Sequence, residues 1–142
     1  MPYRFLDDAQ ADVAIEAKGK TIEELFESVG KALFDVVGKQ PPQEPLRQVS
    51  FSEKAPILED LLRKWLNELI YIKDNKRLYL VHFNFQFSEI EGQMMVQSRL
   101  QGVPLNVMSS HQFRVDPKGI AVHGFSVKKQ KNEYTAKFIV DV

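Results

Sequence analysis

The chain has 142 residues, 44% of them hydrophobic and 27% charged, with 19 Lys/Arg against 19 Asp/Glu and no cysteine. One domain spanning residues 1–142 is the expectation at this length, and folding it buries about 68% of the surface the unfolded chain exposes, enough for a core without disulfides or a structural metal. The missing cysteines exclude a disulfide framework, thiolate zinc and iron–sulfur sites and a cysteine nucleophile, and they suit a reducing cytoplasm.

The first residues, Met1-Pro2-Tyr3-Arg4-Phe5-Leu6-Asp7-Asp8, turn acidic where a secretory signal would carry its apolar stretch. No later apolar run approaches the ~20 residues of a membrane span, so neither export nor insertion is expected. The neutral total hides a gradient: residues 1–38 hold 4 Lys/Arg and 8 Asp/Glu, residues 114–142 hold 6 and 3. A dedicated nucleic-acid binder normally shows a basic stripe and a high isoelectric point, so tight RNA or DNA binding is not expected of a chain with pI near 6.8.

Val13, Ile15 and Ala17 alternate with Ala14 and Glu16, the period of a half-buried strand, with Asp12 at its entrance. Thr21 followed by Glu24 forms a capping box, and the apolar residues from Leu25 to Val37 then predict an amphipathic helix ending at Gly38. The stretch Gln40-Pro41-Pro42-Gln43-Glu44-Pro45 cannot continue a helix and reads as a surface connector. Val49 and Phe51 suggest a short strand. Pro56 opens a second helix through about Ile72, whose Leu58, Leu61, Leu62, Trp65, Leu66 and Leu69 make one wide apolar face.

From Leu78 the period changes to two, and Glu91-Gly92 turns one strand back on the next to make a hairpin. After an irregular stretch from Gly102 to Pro117, a strand from Ile120 to Lys128 and another from Tyr134 to Val142 form a second hairpin. The pattern predicts an α+β fold: two layers, a largely antiparallel sheet of about six strands with two main helices on one face.

Little in the chain suggests a self-standing enzyme. His82, His111 and His123 show neither HxH nor HExxH spacing, and Gly119 to Gly124 has the glycine spacing of a phosphate loop but continues with Phe125 where the phosphate-binding lysine is required, and the residues between the glycines read as strand. No GxSxG elbow occurs, and no nucleophile or base supports a metal-dependent hydrolase. What remains is carboxylates, chiefly Asp7, Asp8, Asp12 and Asp141. All-oxygen ligands suit calcium or magnesium. By spacing alone, Asp12 reads first as a turn residue and Asp141 as a solvated terminal one.

The segments Ala11 to Ala17, Gly19 to Glu27, Ala32 to Val37, Leu58 to Leu62 with Trp65-Leu66-Asn67-Glu68-Leu69-Ile70, Lys118 with His123-Gly124, and Phe138 to Val142 resemble the archease family, in order and over nearly the whole chain. The resemblance implies an archease-like domain that is not an enzyme but an accessory protein of the RtcB-type, GTP-dependent tRNA-splicing ligase, promoting its guanylylation and repeated turnover. It also implies a site for calcium or another divalent cation at Asp12, Asp141 and the backbone of Val142. The family's histidine and threonine before the Ala-Asp motif are replaced here by Asp8-Ala9-Gln10-Ala11. Asp8, Lys118 and His123 then become candidates for a partner surface, with ordinary strand roles as the alternative for the last two. The expected partner is the ligase, which makes most of the RNA contact. The alternative is a chaperone-like modulator of an RNA-modifying enzyme such as a tRNA methyltransferase.

Overall fold

The computed structural model describes residues 2–6 and 12–142. Along the described chain run β1 (Tyr3–Leu6), β2 (Val13–Gly19), α1 (Ile22–Val37), β3 (Arg47–Ala55), α2 (Leu58–Lys76), β4 (Leu78–Ile90), β5 (Gln93–Pro104), β6 (Gly119–Ile120), β7 (Ser126–Gln130) and β8 (Glu133–Asp141), with two short 3-10 turns between β5 and β6. The α+β class and the antiparallel pairing are as expected. Among the described residues the strands number eight and divide into two sheets, one of five strands in the order β1-β2-β8-β6 with β7 also on β8, the other β3-β5-β4. Each helix touches strands of both sheets, so one core serves all of them.

Local chemistry explains most elements. Thr21 Oγ1 accepts the Glu24 N–H at 3.1 Å and Glu24 reaches back to the Lys20 N–H at 3.2 Å, one residue earlier than the standard box, which satisfies one donor in the first turn of α1 and one just before it. The N-cap of α2 is Ile57, which has no side-chain cap, so Pro56 lies just outside the helix. This end is instead tied down by Glu59, whose carboxylate accepts the Val127 N–H of β7 at 3.0 Å. At the β4–β5 turn Glu91 and Gly92 both have positive φ, the geometry that lets a two-residue turn follow the twist of its strands.

The central apolar cluster is aromatic. Phe26 of α1 stands 5.0 Å, centroid to centroid, from both Trp65 of α2 and Phe87 of β4, and Trp65 is 5.5 Å from Phe85. Each large side chain removed from water contributes about 1.5–3 kcal/mol, and each aromatic pair about 0.5–1.5 more. Helix α1 approaches this cluster closely because position 30 is glycine: a Cβ there would lie 2.7 Å from the Phe83 ring.

Two departures from the sequence reading bear on the site. The strand expected from Ile120 to Lys128 is broken between β6 and β7, where Gly124 adopts φ +79° and Val122 is 70% exposed. The break lets Phe125 turn inward to meet Phe138 at 5.8 Å. A first strand, β1, joins the edge of the sheet beside β2, although its four residues carry no clear alternation.

Candidate functional site: the shared end of three strands

Strands β2 and β8 pair from Gly19↔Tyr134 to Val13↔Val140. Along this ladder Ile15, Ala17, Ala136, Phe138 and Val140 are buried in the core. The intervening positions form the opposite face, so the side chains of Glu16, Lys137, Ile139 and Asp141 share it. Asp12 precedes the last pair by one residue and Asp141 follows it by one, which sets the two aspartates opposite each other where the ladder ends.

Strand β6 fixes the other flank of Asp141. Gly119 pairs with Asp141 and Ile120 with Val140, the Lys118 N–H donates to the Asp141 carbonyl at 2.7 Å, and the Ala121 N–H donates to the Ile139 carbonyl at 3.0 Å. The Asp141 backbone is therefore held while its carboxylate stays open. A Cβ at Gly119 would stand 3.8 Å from Asp141 Oδ2, an ordinary contact distance, which places this oxygen beside the β6 backbone. Asp12 and Val142 are half-buried and Asp141 is exposed.

The expected site residues are thus partly brought together. Asp12, Asp141 and Val142 lie at one strand end, and Lys118 joins them through its main chain, with its side chain exposed. His123 does not reach this point: it is exposed in the turn between β6 and β7, whose Gly124 lies against Ile139, two residues down β8 from Asp141. Asp8 lies outside the described residues. Among the described residues no three His, Asp or Glu side chains gather as a ligand set. Any cation at the strand end would therefore take two carboxylates plus main-chain or solvent oxygens, a donor set that fits calcium or magnesium and excludes soft metals.

A charged network lies farther down the same face. Glu16 is nearly buried between Arg4 of β1, whose Nε is 2.8 Å from its Oε1, and Lys137 of β8, whose Nζ is 3.6 Å from Oε2. The hydrogen bond from Arg4 dominates and, aided by the surrounding positive charge, holds the Glu16 carboxyl below the usual carboxylate range despite its burial.

Sequence reasoning missed one residue that shapes the site. Lys73, in the last turn of α2, is 3% exposed. Its ammonium bonds the Asp116 carboxylate, the Pro117 carbonyl at 2.8 Å and the Asp74 carboxylate at 2.8 Å. It thereby pins the chain immediately ahead of Lys118 and Gly119. A lysine in a helix's last turn reads as a solvated partner of the helix dipole, and its contact with Asp116, 43 residues away, leaves no local mark.

Comparison with known proteins gives a consistent answer. The Archease protein family matches residues 3–142. The archease of Archaeoglobus fulgidus is 31% identical over 142 residues, covering all of both chains, and that of Methanosarcina mazei is 30% identical over 145 residues, covering 99% of this chain and 95% of the relative. Among solved structures, protein 1598 of Methanobacterium thermoautotrophicum superposes with a TM-score of 0.80 at 23% identity, with 99% of each chain covered. An archease of Thermotoga maritima, described as a possible chaperone, gives 0.61 at 17% identity over 98% of this chain and 97% of that one. With residues 3–142 matched by the family and a relative 31% identical over the full length of both chains, this chain belongs to the archease family.

Proposed function

We propose that the chain is an accessory protein, not an enzyme, of an RtcB-type, GTP-dependent tRNA-splicing ligase, promoting guanylylation and repeated turnover in tRNA splicing or RNA repair in the cytoplasm. The observation that carries this reading is the family match over residues 3–142; the β2–β8 register, which ends one residue short of both Asp12 and Asp141, supports assigning a shared site to these two residues. A divalent cation, calcium or magnesium, would be held by the two carboxylates and the main chain of Val142. When bound it would neutralise the pair and offer a fixed positive centre beside the partner. The residues of the chain do the rest. The Lys118 N–H orients the Asp141 backbone, and Asp8, Lys118 and His123 remain the candidates for a partner surface. The ligase makes most of the RNA contact.

The test is RNA ligation by such a ligase with and without the chain, following the guanylylated intermediate. Faster guanylylation and product beyond one equivalent per ligase support the reading; an identical time course with and without the chain overturns it. The description of the Thermotoga maritima archease as a possible chaperone favours a second reading, a chaperone-like modulator of an RNA-modifying enzyme such as a tRNA methyltransferase. Co-purification with a methyltransferase and no effect on ligation would support that one.

A further inference from the structure

The outer face of the β3-β5-β4 sheet has no place in the reading above, and its chemistry is unusual. Cross-strand register lays its side chains in rows: Ser50–Arg99–Asn84, then Ser52–Gln97–Gln86. The row on one side is Gln48–Gln101–His82 and that on the other is Lys54–Met95–Ser88. None of the four rows contains a carboxylate. The balanced total of 19 acids and 19 bases makes this selective. The β2–β8 face, by contrast, stabilises itself with the opposite-charge pair Glu16 and Lys137, the ordinary way to solvate a sheet surface.

The face continues into a groove of about 750 Å³ at the corner where α2 ends and β3 begins. Gln48 and Ser50 belong to both, and the groove adds Arg47, Lys76 and Arg77 with no acid among its lining residues. A shallower depression of about 490 Å³ lies on the face itself, between Asn84, Gln86, Gln97 and Arg99. Among the described residues, Arg47, Lys54, Lys76, Arg77 and Arg99 form no ion pair. Six residue steps from Gln48 to Lys54 make the face about 20 Å long.

We propose that this face and groove bind single-stranded RNA, with Arg47, Arg77 and Arg99 against phosphates and the amide and hydroxyl rows against ribose and base edges. Unpaired cations on an acid-free surface complement a polyanion and release its counterions. Side chains that both donate and accept suit 2′-hydroxyls, which DNA lacks. A protein partner would need buried aromatic or aliphatic anchors, and the face offers only Met95 and, at its hairpin end, Ile90. The face has no stacking platform beyond His82, so the contact is weak, tolerant of sequence and governed by salt. It stands apart from the ligase reading and does not depend on it.

Fluorescence anisotropy of a labelled single-stranded RNA oligonucleotide, titrated with the full chain across a series of salt concentrations, tests the proposal. Saturable binding is expected at low salt, with the logarithm of affinity falling by about 0.7 per phosphate contact per decade of salt. The triple variant Arg47→Gln, Arg77→Gln, Arg99→Gln is expected to bind at least tenfold more weakly and to flatten that slope by about two. Gln97→Glu, which keeps every cation and places one carboxylate mid-face, is expected to weaken binding severalfold, and it decides the matter if the triple variant does not fold. No binding at low salt, or binding unchanged in both variants, overturns the proposal. Equal affinity for DNA of the same sequence, or equal competition by polyglutamate, overturns the assignment to RNA.

Discussion

The indole N–H of Trp65 donates to Ser98 Oγ at 2.9 Å, a bond formed in the middle of the core by residues 33 apart in sequence. Trp65 is wholly buried and Ser98 is 1% exposed, so neither group has recourse to water. Ser98→Ala leaves the indole donor unpaired at a cost of about 1–3 kcal/mol. The expected outcome in denaturant unfolding is a lowered midpoint with an unchanged slope, since the surface exposed on unfolding stays the same.

Gly30 sets the distance between α1 and this aromatic cluster. Gly30→Ala improves helix propensity by about 1 kcal/mol but places a methyl 2.7 Å from a Phe83 ring enclosed by Trp65 and Phe85. Overpacking costs about 1–3 kcal/mol, so the variant is expected to unfold at lower denaturant than the native protein despite its better helix former. Equal or greater stability would show that the cluster can yield.

The Arg4–Glu16 pair carries a pH signature. Glu16 is held below the ordinary carboxylate range in the folded protein, so the native state binds its proton less tightly than the unfolded chain does. The stability it contributes is present above the unfolded value, near 4.3, and is lost as pH falls through the lower folded value. Arg4→Ala removes the largest cause, and side-chain NMR titration of Glu16 is expected to show its midpoint rise. Lys137→Ala, acting from 3.6 Å without the hydrogen bond, is expected to raise it less.

Much of this fold is visible in local sequence, and the exceptions have physical causes. The Thr21 cap, the apolar face of α2 and the Glu91-Gly92 turn each act within a few residues, so α1, α2 and the β4–β5 hairpin can be read directly. Strand alternation shows that a strand exists and which side is buried, but not its neighbour, which is why one sheet of about six strands becomes two sheets. β1 escapes because Phe5, at 42% exposure, sits on no consistent apolar side. The carboxylates of the site were visible as residues, whereas their opposition depends on pairing strands from the two ends of the chain. The Lys73 tether is hidden for the same reason, its partners lying in an irregular stretch far along the sequence.

That tether has its own test. Lys73→Met keeps the apolar stem and removes the ammonium, and Asp74 and Asp116 are already half or more exposed, so water takes over their charge. The buried Pro117 carbonyl loses its donor, so the expected result is a loss of global stability of about 1–3 kcal/mol together with faster amide exchange at Lys118, whose N–H bonds the Asp141 carbonyl at 2.7 Å. Unchanged exchange there would show that β6 holds the site edge unaided.

Cation binding at the strand end is read from thermal unfolding in EDTA and in excess calcium or magnesium. Occupancy at a hundredfold excess over Kd stabilises by about 2.7 kcal/mol, and a chain of this size gains about 2–4 °C per kcal/mol. A rise of several degrees is expected for the native protein and none for Asp141→Asn, in which the opposed pair has lost one charge.

Multiple-turnover RNA ligation by an RtcB-type ligase supplied with native protein, Asp12→Asn or Asp141→Asn, each shown to be folded by its unfolding transition, tests whether the two aspartates drive activation. The native protein is expected to sustain many turnovers, and each substitution to reduce this stimulation at least tenfold. Stimulation by both variants equal to that of the native protein would contradict that role.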